Sequence, residues 1–419
     1  MTRLITFALL IILSQSASPQ TSDSLIVRTL RAKNIVFSDN NQVTLLMSGQ
    51  QKFDDMFKAI RQAKSSIHLE YFNFRNDSIA SLLFDLLREK RKEGVEVRAM
   101  FDGFGNDSNN QPLKKHHLKS LRDDSIQIVE YEPIRFPWVT KIFGRDHRKI
   151  VVIDGQIAYT GGMNVADYYI KGTEQVGEWR DMHCRIEGDA VNELQKIFLR
   201  IWNRVTKENI HGMKYYRGGT LTRFEGLKPD TTATAGHKMV GIINREPYRT
   251  PTIMRDFYVN AINQAQDSIK IINPYFTLIP KVTRALTRAI RRGVKVEIMQ
   301  SAKSDIPLTP DCAYYQARKL MKRGAIIWMY EPGFHHSKIM MVDGLFCTIG
   351  STNLDARSLK CDFEENAVII DRATTKELDD MFARDTKKCF LLTEESWNQF
   401  RTPWQKFRGW FAHLLAPFM

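Results

Sequence analysis

Internal repetition constrains this chain more than any other feature. His147-Arg148-Lys149 followed by Asp154, and His336-Ser337-Lys338 followed by Asp343, both read His-x-Lys-x4-Asp. Each copy runs on, at the same offset, into a small-residue turn: Gly161-Gly162-Met163-Asn164 in the first and Gly350-Ser351-Thr352-Asn353 in the second. The likeness extends well outside these words. The stretch 59–67 parallels 261–269, 94–97 parallels 293–296, and Tyr131-Glu132-Pro133 parallels Tyr330-Glu331-Pro332, always in the same order. A chain assembled from two copies of one unit is expected to fold as two similar units. Each copy reads as helix, apolar strand, helix, Gly-Val-x-Val strand, helix, strand ending in Tyr-Glu-Pro, then the His-Lys strand and its turn. Alternating helical and strand periodicities predict an α/β fold with a parallel or mixed sheet.

The 419 residues, 43% of them apolar, are enough for two substantial cores. The expected layout is a signal-like or membrane-targeting segment at 1–18, a first half at 24–220, a linker at 221–235, a second half at 236–395 and a C-terminal amphipathic helix at 396–419. The linker rests on Gly218-Gly219 and on a stretch rich in Gly, Pro and Thr without apolar periodicity. Asp154-Gly155 and Asp343-Gly344 predict hairpin turns, so these two aspartates, grouped by the motif with His147, Lys149, His336 and Lys338 as candidate catalytic residues, are also expected to brace local structure.

Paired His, Lys and Asn suit attack on a phosphodiester. Its charge repels nucleophiles, and its nonbridging oxygens gain charge in the transition state and need neutralising. Lys149 and Lys338 supply positive charge, and Asn164 and Asn353 can donate amide hydrogen bonds to the same oxygens. One imidazole can attack phosphorus to give a phosphohistidine while the other protonates the leaving alcohol, which requires opposite protonation states at the outset. Asp181 and Glu364 are candidates to orient the histidines from downstream strands. Glu70, opposite Asn273 or Pro274 in the repeat, is divided between substrate contact and framework. His335 is out of register with the motif and is assigned no role. No metal-binding spacing and no nucleotide loop stands in the sequence, and Gly103-Phe104-Gly105 reads as a connecting turn, so neither cofactor nor metal is expected.

On these words the chain resembles the phospholipase D superfamily over nearly its whole length. Arg145-Asp146-His147-Arg148-Lys149, Gly161-Gly162-Met163-Asn164, the stretch from Trp179 to Gly188, and the stretch from Gly350 to Ser358 make it most similar to the bacterial cardiolipin synthases. The resemblance implies two α/β/α halves meeting at a pseudo-twofold interface with both motifs in one pocket, so that a monomer suffices. It also implies His147 as nucleophile and His336 as general acid. The implied reaction joins two phosphatidylglycerol molecules into cardiolipin and glycerol. The same site with water as acceptor would make a phospholipase D or a nuclease, and an inactive lipid-binding module is the reading from outside enzymology.

A net charge of +14 favours a polyanionic partner, here an anionic phospholipid membrane rather than nucleic acid. The apolar run Leu4–Leu13, followed by small residues, resembles a secretory signal too short to span a bilayer, which places the chain at the extracytoplasmic side of a bacterial membrane. It departs from the two longer membrane helices with which bacterial relatives often begin. Trp404, Phe407, Trp410, Phe411, Leu414, Leu415 and Phe418 fall on one helical face with Arg401, Lys406 and Arg408 nearby, a pattern suited to anionic lipid. The apolar segment from Ile134 to Phe143, present before the first motif only, is expected to form a lip for acyl chains or a packed loop. The five cysteines are expected to be mostly buried and unpaired.

Overall fold

The computed structural model describes residues 21–134, 143–218, 236–306 and 309–415. The signal-like segment, most of the expected lip and nearly all of the linker therefore lie outside the described residues. The first copy contributes strands β1 (Phe37–Leu46), β2 (Ser66–Tyr71), β3 (Glu96–Asp102), β4 (Gln127–Tyr131), β5 (Ile150–Ile153), β6 (Ile157–Gly161), β7 (Glu178–Arg180) and β8 (His183–Glu187). The second contributes β9 (Lys238–Arg245), β10 (Ser268–Ile272), β11 (Lys295–Ser301), β12 (Ile326–Tyr330), β13 (Gly333–His335), β14 (Ile339–Val342), β15 (Phe346–Gly350), β16 (Glu364–Ile370) and β17 (Cys389–Leu391).

Fifteen of these strands form one sheet in the order β17-β12-β11-β10-β14-β15-β16-β9-β1-β8-β6-β5-β2-β3-β4. Read outward from the central β9–β1 pair, the two copies have the same order, and among the described residues of the sheet only β17 lacks a counterpart. The duplication expected from sequence is thus a pseudo-twofold axis through an antiparallel pair of strands. Within the parallel sets β2-β3-β4 and β10-β11-β12, strands β2, β3 and β11 are almost continuously buried, as apolar strands covered on both faces must be.

Helices cover both faces. One face carries a separate core for each copy, centred on Phe53, Ile67 and Phe101 in the first and Phe257, Ile269 and Ile298 in the second. Under the helices Ala190–Thr206 and Arg372–Thr386 on the other face, a single core runs through both copies, from Val43 and Ile150 to Ile242 and Phe382. The copies are therefore welded, which fixes their relative position to within side-chain packing. Two boundaries depart from the sequence reading: the single C-terminal helix expected at 396–419 is two helices, Glu394–Phe400 and Pro403–Leu415, among the described residues, and the first helix belongs with the other copy. The helix Ser22–Arg31, expected to belong mainly to the first copy, buries Ile26 and Leu30 in the core of the second, against the helix Ile253–Gln264.

Both Asp-Gly turns form. Asp154 (φ 54°) and Gly155 (φ 65°), like Asp343 (φ 53°) and Gly344 (φ 64°), adopt the successive left-handed conformations of a tight hairpin between β5 and β6 and between β14 and β15. Gly103-Phe104-Gly105 opens a single helical turn, Gly103–Asp107, capped by the Asp102 carboxylate. All five cysteines are unpaired, and Cys184, Cys312 and Cys347 are buried.

The C-terminal helix Pro403–Leu415 packs one face on the helix Thr309–Met321, where Gly409 lies against Asp311 and Ala412 against Cys312. Asp311 is paired with both Arg401 and Arg408. Arg401 is buried, so it clamps the helix to the body instead of facing lipid as its position in sequence suggests. On the outer face Trp404, Phe407, Trp410, Phe411 and Leu414 are all 46–64% exposed. The side chains of Leu415 and Phe418 lie outside the described residues.

Candidate active site

Each catalytic motif is completed by the other copy. The backbone N–H of His147 donates to the carbonyl of Phe363 (3.1 Å), which puts His147 beside Glu364. Symmetrically, the N–H of His336 donates to the carbonyl of Arg180 (2.6 Å), and the parallel pair β13–β7 puts His336 beside Asp181. The side chains follow. His147 Nδ1 lies 3.1 and 3.2 Å from the two Glu364 oxygens, and His336 Nδ1 lies 2.7 Å from Asp181 Oδ2. A carboxylate on Nδ1 fixes the tautomer with Nδ1 protonated and leaves Nε2 as the reactive nitrogen. Asp181 and Glu364 occupy equivalent places, one residue past the strand-to-strand contact in each copy.

Lys149 and Lys338 are buried, each beside the histidine of its own motif. Lys149 Nζ donates to the carbonyl of His147, and Lys338 Nζ donates to that of His336 (2.6 Å) while lying 3.0 Å from His336 Nε2. Asn164 and Asn353 are 5% and 6% exposed, and Asn353 lines the cavity that also reaches His147. Beneath Asn164 the fully buried Lys52 donates to its carbonyl oxygen (3.1 Å).

Burial and like charge dominate the electrostatics. Burial pushes His147 well below the ordinary imidazole range, and Lys149, Lys338 and Arg357 push it further. His336 is lowered to about 4 by burial and Lys338, against the pull of Asp181 in the opposite direction. Burial lowers Lys338 to about 7 despite Asp181 and raises Glu364 to about 7 despite Lys149 and the hydroxyls of Ser351 and Ser358. Burial thus disfavours the charged form of both imidazoles, opposed by Asp146 at His147 and by the hydrogen-bonded Asp181 at His336.

A cavity of about 600 Å³ reaches this centre, lined by His147 and Asn353 and walled by Phe72, Phe104, Phe143, Tyr275 and Ile306. Phe143, the one end of the expected lip that is described besides Ile134, is 63% exposed at its edge. His336 is packed among aromatic rings, with centroids 5.6 Å from Trp179, 5.5 Å from Phe334 and 5.9 Å from Tyr275.

Several residues grouped with the site by sequence stand elsewhere. Asp154 and Asp343 sit at the far ends of β5 and β14, a strand's length from the histidines. Asp154 accepts from the N–H groups of Lys64, Ser65 and Ser66 (2.7–2.9 Å), and Asp343 from those of Gln266, Asp267 and Ser268 (2.8–2.9 Å). They tie the hairpins to the entries of β2 and β10 and do not reach substrate, which corrects their place among catalytic residues. Glu70 is buried against Arg148, 2.7 Å from its Nε, and belongs to the framework. Its counterpart is Ile272, not Asn273 or Pro274, because Glu70 pairs with Ile150 just as Ile272 pairs with Ile339. His335 points away from the cavity, with Nε2 3.3 Å from Asp385.

Sequence reasoning missed the ion pairs that hold the first motif. Arg145 binds the Asp102 carboxylate through Nε (3.0 Å) and NH2 (2.8 Å), and Arg148 bridges Glu70 and Asp146. It also missed Glu365, whose carboxyl accepts from Thr160 and is raised to about 8 by burial. Charged residues within otherwise apolar strands were the available signal, since such groups are buried only when partnered.

Two His–carboxylate pairs crossed between duplicated α/β halves, each with a buried lysine on the histidine's carbonyl, define a phosphodiester-transferring site. The chain matches the family described as cardiolipin synthase, phospholipase D-like domain, over residues 56–202 and 258–386, and it belongs to that family. It is 33% identical to a cardiolipin synthase of Oceanobacillus iheyensis, over 93% of this chain and 77% of that protein. With cardiolipin synthase 1 of Bacillus cereus the identity is 32%, over 91% and 73%. Its fold is similar to the crystal structure of phosphatidylserine synthase from Haemophilus influenzae, with a TM-score of 0.67 and 16% identity, covering 94% of this chain and 98% of the other.

Proposed function

We propose that this chain is a phosphatidyltransferase that makes cardiolipin from two molecules of phosphatidylglycerol. The crossed pairing of His147 with Glu364 and His336 with Asp181 carries the reading, together with kinship to cardiolipin synthases. His147 Nε2 attacks the donor phosphorus, a P–N bond forms, and the P–O bond to the head-group glycerol breaks as His336 gives that oxygen its proton. The hydroxyl of a second phosphatidylglycerol then passes its proton to neutral His336 and attacks phosphorus, the P–N bond breaks, and both histidines return to their starting forms. Glu364 orients the nucleophile, and Asp181 supports the imidazolium. An incoming phosphodiester adds a negative charge that raises both histidines, and Asp181 adds to this at His336.

The substrate places the enzyme at a membrane. Among the described residues no helix is long and apolar enough to cross one. The exposed aromatic face of Pro403–Leu415 supports an interfacial attachment instead, with the body's positive charge favouring anionic lipid. The signal-like N-terminus supports the extracytoplasmic face.

Mass spectrometry after incubation with phosphatidylglycerol vesicles tests the reading. Cardiolipin and glycerol in equal amounts, both absent with His147→Ala, are expected. Phosphatidic acid as the sole lipid product would instead mean that water is the acceptor.

A further inference from the structure

Asp181 reaches His336 through a ribbon that cannot stand alone. Strands β7 and β13 are three residues each and, among the described residues, pair only with one another, outside the fifteen-stranded sheet. Two strands of this length have no independent stability. The placement of His336 as general acid, the reading on which this inference rests, is therefore set by whatever anchors the ribbon to the body.

Two anchors hold one strand each. The Ser301 hydroxyl, at the end of β11, accepts from the His335 N–H (2.6 Å), and the Tyr330 hydroxyl, at the end of β12, donates to Glu178 (2.9 Å). A third holds both strands at once. Asp385, near the end of the helix Arg372–Thr386, accepts from Arg180 Nε (2.7 Å), and the same carboxylate oxygen lies 3.3 Å from His335 Nε2. Arg180 and His335 face each other on the last rung of the ribbon, and each is the chain neighbour of one member of the acid pair, Arg180 of Asp181 and His335 of His336. The His336 N–H closes that rung on the carbonyl of Arg180. One carboxylate thus fixes, from behind, the two backbones whose next residues meet at 2.7 Å. A shift of about 1 Å would take that contact out of hydrogen-bonding range.

The network is balanced. His335 is fully buried, and with Nε2–H directed at Asp385 its Nδ1 meets no hydrogen-bond partner among the described residues, so the neutral ring fills the place. Against burial, His335 and Arg180 hold the Asp385 carboxyl below its ordinary range. Arg180 is fixed on its other side as well, where NH1 donates to the carbonyl of Met47 (3.1 Å).

The first copy fills the same place with apolar groups. Phe363 precedes Glu364 as Arg180 precedes Asp181, and it packs with Tyr131, the equivalent of Tyr330, and with Ile201 and Trp202. The helix Ala190–Thr206 brings no carboxylate there, since its one acid, Glu193, pairs with Lys196.

We propose that Asp385 is a positioning residue for the general acid: by clamping Arg180 and His335 it holds Asp181 on His336 and so sustains proton transfer to the leaving alcohol.

Two donors in single-turnover assays separate this role from a general loss of structure. Phosphatidylglycerol releases an alcohol that needs a proton, whereas a phosphatidyl donor with a nitrophenol leaving group does not. Asp385→Asn is expected to slow glycerol release by roughly 10-fold, the worth of a charge-assisted hydrogen bond, and nitrophenol release by less than about twofold. Because Asp385 acts through Asp181, adding Asp385→Asn to Asp181→Asn should deepen the loss by no more than about twofold. Arg180→Lys keeps the charge but not the fork that reaches Asp385 and Met47 together; it should give the same donor-selective loss in milder form, and it stands in if Asp385→Asn does not fold. Equal slowing on both donors, or losses that multiply in the double variant, would overturn the clamp and leave the acid role intact where His336→Ala remains donor-selective. A His336→Ala variant that slows both donors alike would overturn that role and the clamp together.

Discussion

The two copies share a backbone plan but differ in the residues around their histidines. In the first copy Gly162 leaves the room that Asp181 needs: a Cβ there would lie 2.2 Å from the carboxylate. In the second, Ser351 at the same place donates its hydroxyl to Glu364. The first motif is locked by Arg148 between Glu70 and Asp146, whereas its counterpart has Ser337 beside Ile272 and His335. Around His336 the wall is aromatic; around His147 it is aromatic on one side and cationic on the other. Duplication supplies two histidines, and these substitutions give them the different surroundings that the proposed roles of nucleophile and acid call for. A site built from two identical halves would have no reason to polarise them.

The largest effect should come from the histidines themselves. His147→Ala is expected to lower kcat by at least about 10⁴-fold with any leaving group, because no covalent intermediate can form. His336→Ala should cost about 10²- to 10⁴-fold with phosphatidylglycerol but much less with a donor whose leaving group is a nitrophenol, which departs without a proton. Equal losses on both donors for both variants, in single-turnover assays, would erase the assignment of roles.

The carboxylates come next. His336 must be protonated to act, and Asp181 raises its affinity for the proton, so activity falls as pH rises through the value for His336 in the complex. Asp181→Asn is therefore expected to move the alkaline limb of the kcat profile to lower pH and to reduce kcat by about 10- to 100-fold. Glu364→Gln should reduce kcat comparably through the orientation of His147 and leave that limb where it is. If Glu364→Gln moved the alkaline limb and Asp181→Asn did not, the two copies would have exchanged roles.

How much of this was readable beforehand divides along the same line. Much of what depends on one copy was legible: the alternating elements, the Asp-Gly hairpins and the strand position of Glu364. These follow from local periodicity and from recurrence of the same word at the same offset. Asp181, by contrast, falls in the connection between β7 and β8, and the ion pairs of Arg145 and Arg148 within the first copy were missed. Whatever depends on contact between copies was not legible. Nothing in the order of residues says that Glu364 serves His147 and Asp181 serves His336, because the crossing arises from pairing of β7 with β13 and of Asp146 with Phe363. The counterpart of Glu70 was misplaced for a related reason. The sequence around Pro274 suggested one alignment, while the ladder β10–β14 fixes another. The helix Ser22–Arg31 carries an ordinary amphipathic pattern, which says that it buries a face but not against which copy.

The motif aspartates should affect stability instead of chemistry. Each accepts three backbone N–H groups while sitting at positive φ, so Asp154→Ala and Asp343→Ala are each expected to cost about 2–4 kcal/mol of unfolding free energy. Denaturant titration would measure this, with kcat per folded molecule nearly unchanged. Here the copies should behave alike, since both hairpins make the same contacts, and a large difference in kcat between the variants would return one aspartate to the active site.

The smallest effect probes the Gly162–Ser351 contrast most directly. The Ser351 hydroxyl helps keep Glu364 ionised against burial, which has already raised it to about 7. Removing one hydrogen bond worth about 0.5–1.5 kcal/mol shifts a carboxyl by up to roughly one pH unit. In Ser351→Ala the Glu364 carboxyl should rise further, so a higher pH is needed to ionise it, and the acid limb of kcat should move upward by that amount with about a threefold loss at neutral pH. Gly162→Ser, the reverse exchange in the other copy, drives a side chain into Asp181 and should be far more damaging. If the two exchanges proved equally mild in the same pH profiles, the space around the carboxylates would not be what separates the nucleophile from the acid.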